Sequence, residues 1–334
     1  MMVYKDLIKE FCKSHGLDIV RFLPCQSCND VENYFQYRKE NGLINEFEEK
    51  DIIVRSNANY SMENAKTIIS IAFPYRYKID KSSNKFCVSK YTLGEDYHKV
   101  VKKYLTCISD FIKVKLGGDA KVFVDSNSLP ERYIAMKCGV GFIGKNNCII
   151  TEKYGSYVFL GEILTDLDIE GDKPIENLCG ACRNCIEACP TKAINGSENN
   201  KDNNSNICIS YTSQKKDLES FWFPYLKNSL WGCDICQDVC PFNEKAHYSN
   251  IVEFSPKPYM LDLNIENIIS MNNEEFNRNY RNLACGWRGK NLIIRNAIIC
   301  EKNVYGVVKN RNNIASPYVK SYYDRLLKGK KFII

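Results

Sequence analysis

The stretch "CGACRNCIEACP", residues Cys179–Pro190, decides how the middle of the chain folds. Its cysteines follow the spacing C-x2-C-x2-C-x3-C-P, and they are Cys179, Cys182, Cys185 and Cys189. A second run, "CDICQDVCP" at Cys233–Pro241, adds Cys233, Cys236 and Cys240. In the bacterial two-cluster pattern, the first three cysteines of such a run bind one [4Fe–4S] cluster and the fourth binds the other. The two runs therefore predict two clusters.

Two clusters of this kind need eight thiolates, and Cys208 in "NICISYTSQ" is the natural eighth. We expect the first cluster to be bound by Cys179, Cys182, Cys185 and Cys240. We expect the second cluster to be bound by Cys189, Cys208, Cys233 and Cys236. Structural zinc is the alternative. Zinc sites use two separated pairs of ligands, which three closely spaced cysteines before a Cys-Pro fit poorly.

The composition is that of an ordinary globular protein, with 334 residues, 44% hydrophobic and 26% charged. No stretch approaches the roughly 18 consecutive apolar residues that a membrane-spanning helix needs. The N-terminal segment is charged from Lys5 onward and lacks the apolar run of a secretory signal, so we expect a cytoplasmic protein. In a reducing compartment, 17 cysteines indicate metal or redox chemistry rather than disulfides. The net charge of +6 allows nucleic acid as a partner without requiring it.

Three regions separate along the chain, and together they predict an α+β fold. Residues 1–165 are predicted to form a mixed α/β domain. Its predicted strands and helices are "TIISIAF" (67–73), "AKVFVD" (120–125), "SYVFLGEIL" (156–164), "YKDLIKEFCKSHG" (4–16) and "EDYHKVVKKYLTCISDFIKVKLGG" (95–118). Residues 166–248 contain the cysteine runs, and their polar insert at 195–206 is expected to be a surface loop. Residues 249–334 are expected to be mostly helical.

Other motifs give weaker signals. Cys25 and Cys28 form a lone C-x-x-C, which we interpret as structural thiols because no second pair accompanies it. The segment "GVGFIG" (139–144) has the letters of a dinucleotide fingerprint, but no suitable helix or later ribose-binding acid supports that function. The chain has only three histidines, so a histidine-built metal site is not expected. His98 is expected to be a hydrogen-bonded helix residue.

Longer segments on both sides of the cysteine runs resemble the epoxyqueuosine reductases. The likeness is carried by "RSNANYSMENAKTIISIAFPY" (55–75), "DSNSLPERYIAMKCGVGFIGKNNCIITEKYGSYVFLGEILTDL" (125–167) and "WRGKNLIIRNAI" (287–298), in the same order. The resemblance implies an enzyme that reduces epoxyqueuosine to queuosine at the wobble position of tRNA, using cobalamin and two [4Fe–4S] clusters. It also implies a cobalamin-binding α/β domain, a bacterial-ferredoxin-like double-cluster domain and a short helical C-terminal module, a remnant of HEAT-like repeats.

The resemblance implies the residues of the site as well. The family has an aspartate before an arginine as proton donor, and this chain has Glu131 before Arg132. Glutamate is still a carboxylic acid, although its longer side chain moves the carboxyl group by about 1 Å. Lys215 and Lys216 would contact tRNA phosphates. The residues implied to contact cobalamin are Arg55, Tyr154, Gly155, Ser156, Leu167, Ser210 and Gln214. An external low-potential donor of the flavodoxin or ferredoxin type would supply electrons, and we expect a monomer.

Two other functions stay open at this point. A corrinoid iron–sulfur reductase of a small molecule, such as a dehalogenase, would use the same cofactors and would show no affinity for tRNA. An electron-transfer module for a partner protein would need only the cluster domain. The N-terminal region of about 165 residues argues against a mere carrier, because two clusters alone need a far shorter chain.

Overall fold

The computed structural model describes residues 4–25, 29–79, 84–309, 311 and 314–328. Cys28 of the C-x-x-C motif and residues 329–334 of the basic tail lie outside them. The strands are β1 (Val20–Pro24), β2 (Thr67–Pro74), β3 (Cys87–Val88), β4 (Ala120–Phe123), β5 (Phe142–Ile143), β6 (Ile149–Ile150), β7 (Val158–Thr165) and β8 (Ser229–Trp231). The three predicted strands are confirmed as β2, β4 and β7.

The helices alternate with strands in the first half of the chain and follow one another in the second half. They are α1 (Tyr4–Ser14), α2 (Asn29–Glu40), α3 (Ile52–Ser56), α4 (Tyr97–Phe111), α5 (Glu131–Lys137), α6 (Asn184–Ala188), α7 (Ile209–Thr212), α8 (Ile235–Asp238), α9 (Pro258–Leu261), α10 (Ile265–Ser270), α11 (Asn273–Asn279), α12 (Lys290–Tyr305) and α13 (Pro317–Lys328). Among the described residues, none of these helices combines the length and the apolar character that crossing a lipid bilayer requires.

An antiparallel sheet with the strand order β1-β2-β7-β4 forms the centre of the N-terminal part. All residues of β2 are buried, as expected for a strand covered on both faces. Side chains of β7 alternate between the two faces. Ile163 packs in the same cluster as residues of α4, whereas Leu160 and Leu164 pack with residues of α5. The sheet therefore separates a large core from a smaller one under α5.

Helix α4 begins where the sequence predicts a helix start, because the Asp96 side chain accepts a hydrogen bond from the backbone N–H of His98. Apolar residues recur at helical spacing along its buried face. The last turn, Ile112–Leu116, widens into a π-helix and ends at Gly117, which has φ +72°. The long predicted helix is thus confirmed as α4 with a π-helical end.

The polar insert at 195–206 is only partly the surface loop that the sequence predicts. It contains two short 3-10 turns, and Asn200 and Asn203 are buried. The Asn200 side chain donates a hydrogen bond to the carbonyl of Gly144, and the Asn203 side chain donates one to the carbonyl of Lys145. Asparagine amides satisfy backbone groups at close range, so a polar segment can pack tightly without apolar residues.

The C-terminal part is mostly helical, as expected, and it is packed around α12. This helix contacts α10 and α13, and nearly all of its middle residues are buried. Its buried Arg295 and Asn296 both donate hydrogen bonds to the carbonyl of Ser213, at 3.1 and 2.8 Å. Helix α12 therefore supports the segment that follows Cys208.

A glycine just after α5 offers a test of the packing between this helix and the start of the cluster region. Gly139 has φ +79°, and a Cβ atom there would lie 2.2 Å from the carbonyl oxygen of Lys173. We expect Gly139→Ala to lower the free energy of unfolding by about 2–5 kcal/mol, since left-handed strain costs about 1–2 kcal/mol and overpacking about 1–3 kcal/mol.

Gly117→Ala is the matched control, because Gly117 also has a positive φ but no atom lies within 4 Å of the place that an added methyl group would take. It should cost only about 1–2 kcal/mol, the left-handed strain alone. Urea unfolding of the two variants measures the difference. Equal losses of stability in the two variants would show that the backbone near Lys173 moves to accommodate the added methyl group.

Candidate active site and cluster-binding region

The first expected set of thiols surrounds one cavity. Cys179, Cys182, Cys185 and Cys240 line it together with Lys145, Asn146, Ile150 and Phe242. Burial and the charges of the other three thiols raise the pKa of Cys185 to about 11. Lys145 donates hydrogen bonds to the carbonyls of Gly180 and Cys182, at 2.7 and 2.9 Å, and so fixes the loop that presents two of the thiols. This set can hold one cluster.

The second expected set also comes together. Burial raises the pKa of Cys233 to about 12, and the charges of Cys208 and Cys189 act on it in the same direction. The hydrogen bond with Cys148 and burial raise the pKa of Cys236, and the charges of Cys208 and Cys233 act in the same direction. The thiols of each expected set therefore act on one another through their charges, and the assignment of the eight cysteines to two clusters stays a prediction. Four thiolates in each group match what a cubane cluster needs.

Two further residues lie against these groups. Asn146 lines the first cavity, its Oδ1 accepts a hydrogen bond from the backbone N–H of Cys148, and its buried Nδ2 has no partner among the described residues. A cluster sulfide would accept such a bond, which supports the fit of the cavity to a cluster. Cys148 forms a hydrogen bond with Cys236, and this bond lowers the pKa of Cys148. Nothing in the cysteine spacing points to either residue.

Glu131 is the first residue of α5 and is half-buried. Its Oε1 accepts hydrogen bonds from the backbone N–H of Asp125 at 2.6 Å and from the Asn127 side chain at 2.9 Å. Burial and the neighbouring charge of Asp125 raise the pKa of Glu131 to about 7. Asp125 itself has a left-handed backbone with φ 49°, so the turn presents its N–H to the glutamate. The carboxyl group is thus suited to give up a proton near neutral pH.

His98 lies between two carboxylates beside this turn. Its Nδ1 is 2.8 Å from Asp96 Oδ1, and its Nε2 is 3.0 Å from Asp125 Oδ2. Burial alone would lower the pKa of His98, but the hydrogen bonds to the two aspartates raise it to about 9. The prediction of a hydrogen-bonded helix residue is confirmed. A protonated imidazole lowers the pKa of Asp125, which stays ionised next to Glu131.

Arg55 lies at the edge of the same region. Its guanidinium group stacks on the Phe35 ring at 3.8 Å and forms an ion pair with Glu48 at 3.4 Å. Burial lowers the pKa of Arg55, and so does the charge of Arg132, which also acts on the pKa of Glu131. Arg132 is therefore within electrostatic reach of both residues. Ser210 lies on α7 and Gln214 lies just after this helix, both soon after Cys208 in the sequence. Both side chains are half-buried.

The turn at Tyr154, Gly155 and Ser156 lies against the cluster region. The Tyr154 hydroxyl donates to Asp18, the backbone N–H of Ser156 donates to the Asn243 side chain, and the Ser156 hydroxyl accepts from Gln237. Leu167 packs with the large core of the sheet, and its carbonyl accepts from the Thr67 hydroxyl. The polar groups of this turn thus bind protein partners, and their contact with cobalamin stays a prediction.

Comparison with known proteins identifies the family of this chain. Residues 55–126 match the family model "Epoxyqueuosine reductase QueG, DUF1730", and residues 178–243 match the "4Fe-4S double cluster binding domain". The epoxyqueuosine reductase of Lactococcus garvieae is 35% identical over 96% of this chain and 93% of its own length. That of Bacillus subtilis is 34% identical over 90% of this chain and 79% of its own. The chain belongs to the epoxyqueuosine reductase family.

Solved structures of the family have the same fold as this chain. An epoxyqueuosine reductase bound to an epoxyqueuosine-modified tRNA-Tyr stem loop superposes with a TM-score of 0.89 at 30% identity, covering 97% of this chain and 89% of its own. The Streptococcus thermophilus enzyme gives a TM-score of 0.87 at 30% identity, covering 98% of this chain and 90% of its own. The α+β fold with a double-cluster domain is therefore confirmed, and this family member has a [4Fe–4S] double-cluster domain.

An exposed aromatic surface lies near Gln214, and the sequence analysis did not predict it. We call this surface the aromatic platform. It consists of Phe47, Tyr211, Trp287 and Arg288. The guanidinium group of Arg288 lies 4.2 Å from the Trp287 ring centre and 4.9 Å from that of Phe47. Trp287 is 52% exposed, although its Nε1 donates a hydrogen bond to Gln214. Lys215 lies over the Tyr211 ring at 6.0 Å, and Lys216 is exposed next to it.

The interleaved grouping of the cysteines can be tested by iron content. Wild-type protein with both clusters should contain about eight iron atoms, and Cys240→Ala should contain about four because one cluster is lost. Adding Cys179→Ala to Cys240→Ala should remove no more iron, whereas adding Cys233→Ala should remove almost all of it. Iron analysis after anaerobic reconstitution measures the iron content of each variant, and electron paramagnetic resonance measures the clusters that remain.

Cys148→Ala is the matched control, since Cys148 contacts Cys236 but belongs to neither set of four. It should keep about eight iron atoms. If the two double variants lost the same amount of iron, the grouping would be wrong.

Proposed function

We propose that this protein reduces epoxyqueuosine in tRNA to queuosine, with Glu131 as the proton donor. The observation that carries this proposal is the half-buried Glu131 carboxyl group, whose pKa is raised to about 7 in a chain that belongs to the epoxyqueuosine reductase family. The reaction breaks both carbon–oxygen bonds of the epoxide, takes up two electrons and two protons, and releases the oxygen as water. Oxygen is a poor leaving group unless it is protonated, so the reaction needs a positioned acid.

Glu131 meets this need better than an ordinary carboxyl group. A glutamate with its ordinary pKa of about 4.3 is almost completely ionised at neutral pH, whereas one with a pKa near 7 is protonated in about half of the molecules. Its Oε1 already accepts two hydrogen bonds, so the proton resides on Oε2. The ionised Asp125 disfavours a second negative charge and thereby keeps the proton on Glu131.

The chain offers residues for the cofactors that this chemistry requires. Each set of four cysteines would hold one [4Fe–4S] cluster. Arg55, Ser210 and Gln214 would contact a large cofactor with amide and phosphate groups, because Arg55 carries a cation and the polar side chains of Ser210 and Gln214 are partly exposed close to Cys208 in the sequence. Tyr154, Gly155, Ser156 and Leu167 would adjoin it from the sheet. Cobalamin bound there would supply a strongly reducing cobalt centre, replenished one electron at a time through the clusters.

The tRNA partner is supported by a family structure that contains an epoxyqueuosine-modified stem loop. Lys215 and Lys216 would contact phosphates, which position RNA without reading its sequence. The aromatic platform suits unpaired loop bases, because bases in single-stranded loops stack on aromatic rings and on arginine planes. We further propose a monomer that receives electrons from a flavodoxin or ferredoxin.

Substitution of Glu131 tests its role as proton donor. Anaerobically reconstituted protein with cobalamin, a reductant and tRNA containing epoxyqueuosine should form queuosine, detected by mass spectrometry of the digested tRNA. Glu131→Gln should lower the rate by about 100-fold or more, the range that positioned acids contribute, with iron content and cobalamin binding unchanged. Glu131→Asp, the residue of the family pattern, should retain activity within about tenfold.

Equal rates for wild type and Glu131→Gln would remove Glu131 from the reaction. No conversion by wild-type protein that holds both clusters and cobalamin would favour a small-molecule corrinoid reductase instead.

Substitutions in and next to the aromatic platform test tRNA binding. Trp287→Ala should weaken binding of an anticodon stem loop by roughly 10-fold, because stacking of one base contributes about 1–3 kcal/mol. Trp287→Phe should lose much less. Lys215→Gln and Lys216→Gln should each lower the slope of the logarithm of the association constant against the logarithm of salt concentration by about 1, the effect of losing one phosphate contact.

Tyr305→Ala is the control, since Tyr305 is also an exposed aromatic residue, at the end of α12 and outside the platform. Its affinity should match wild type. If Trp287→Ala also matched wild type, the platform would not be part of the RNA contact.

A further inference from the structure

The loop between β5 and β6 contributes a buried amide to the wall of the first cavity. Asn146 lies in this loop, is 9% exposed, and lines the cavity together with the first expected set of thiols. Its Oδ1 accepts a hydrogen bond from the backbone N–H of Cys148 at 3.2 Å. Because a backbone N–H can only donate, the amide oxygen is the atom that faces Cys148. The amide nitrogen, Nδ2, is buried and has no hydrogen-bond partner among the described residues.

The other polar side chains of the cavity wall already have acceptors. Lys145 donates to two backbone carbonyls of the loop that presents the thiols, at 2.7 and 2.9 Å. Asn184 donates from its Nδ2 to the carbonyl of Val239 at 3.3 Å. The remaining wall residues, apart from the thiols, are the apolar residues Ile150, Pro241 and Phe242. A buried donor without an acceptor is costly, so we expect the group that fills this cavity to accept a hydrogen bond from Asn146.

The loop that carries Asn146 is fixed by the polar insert. The side chains of Asn200 and Asn203 donate hydrogen bonds to the carbonyls of Gly144 and Lys145, at 2.9 Å in both cases. The amide of Asn146 is therefore held in place by protein contacts alone. A donor that is preorganised in this way loses little conformational entropy when it forms its hydrogen bond.

A [4Fe–4S] cluster in this cavity would offer sulfur atoms as acceptors. Its sulfide and thiolate sulfurs carry negative charge, and reduction of the cluster adds one more negative charge. Hydrogen bonds to a charged acceptor are stronger than those to a neutral one, so a bond to sulfur stabilises the reduced cluster more than the oxidised one. Hydrogen bonds to the sulfurs are accordingly among the factors that set the reduction potential of such clusters.

We propose that Asn146 donates a hydrogen bond from Nδ2 to a sulfur atom of the first cluster and thereby raises the reduction potential of that cluster. Gly180 and Ala181, between two thiols of the first set, are exposed, so an external donor can approach this cluster. One electron leaves the flavodoxin or ferredoxin and reduces the cluster, and no bond breaks. The raised potential favours this transfer. The inference rests on the clusters of the proposed function and is independent of its tRNA substrate.

The test is Asn146→Leu, because leucine is similar in size to asparagine, keeps the cavity wall filled and cannot donate a hydrogen bond. The variant should keep about eight iron atoms. The equilibrium constant for reduction of one cluster should fall about tenfold, the effect of losing a hydrogen bond to a charged group. For one electron this is a shift of about 59 mV to more negative potential. The other cluster should keep its potential. An anaerobic redox titration followed by electron paramagnetic resonance measures both potentials.

Asn184→Ala is the matched control, because Asn184 lines the same cavity but is exposed and already donates its amide to Val239. Both cluster potentials of this variant should match those of wild type. Unchanged potentials in Asn146→Leu, or an equal shift in Asn184→Ala, would overturn the inference.

A measurement on the wild-type protein decides the matter even if Asn146→Leu fails to bind its clusters. In protein labelled with ¹⁵N in the side-chain amides of asparagine, pulsed electron paramagnetic resonance of the reduced first cluster should show a coupling to ¹⁵N. Absence of this coupling would overturn the inference.

Neither measurement needs tRNA, which separates this inference from the proposed function. Protein that shows the expected shift and coupling but forms no queuosine would overturn the proposed function and leave the role of Asn146 standing. Protein that forms queuosine without the shift or the coupling would do the reverse.

Discussion

A buried polar network ties the cluster region to the sheet, and the site depends on it. The Asn243 side chain donates to the Ser156 hydroxyl and to the carbonyl of Gln237, at 2.9 and 2.7 Å, while the Gln237 side chain donates to Tyr75 and Ser156. Gln237 and Asn243 flank Cys240, and Gln237 follows Cys236 directly. Each expected set of four cysteines has one member in this short segment. Because amides left unpaired in such a place would each cost about 1–3 kcal/mol, the network fixes the second cysteine run against β7.

Several carboxyl groups lie close together at the acid site, and their surroundings set their pKa values. Glu131 lies next to an ionised Asp125 and a buried Glu162, and the one nearby imidazole among the described residues is already bound by two aspartates. Separate environments push the pKa values of these acids apart, downward for Asp125 and upward for the two glutamates. This division lets one small region hold an anion and a proton donor at the same pH.

The sequence predicted well what depends on local spacing and poorly what depends on tertiary contact. The expected grouping of the eight cysteines rests on the reach of thiols within a short run, and β2 follows from an unbroken apolar segment. Glu131 was found through resemblance to a family, since a lone Glu-Arg pair has no diagnostic spacing. The packed insert at 195–206 was missed because asparagine amides can bury a polar segment as effectively as apolar side chains do.

The support that α12 gives to Ser213 bears on how the protein is made in the cell. Ser213 follows the ligand candidate Cys208 by five residues, and its carbonyl is held by Arg295 and Asn296, more than eighty residues further along the chain. While the ribosome is still synthesising α12, this carbonyl has no partner and the segment around Cys208 is not yet braced. We therefore expect the second cluster to be inserted after most of the polypeptide has been released, so that the order of synthesis also sets the order of cofactor assembly.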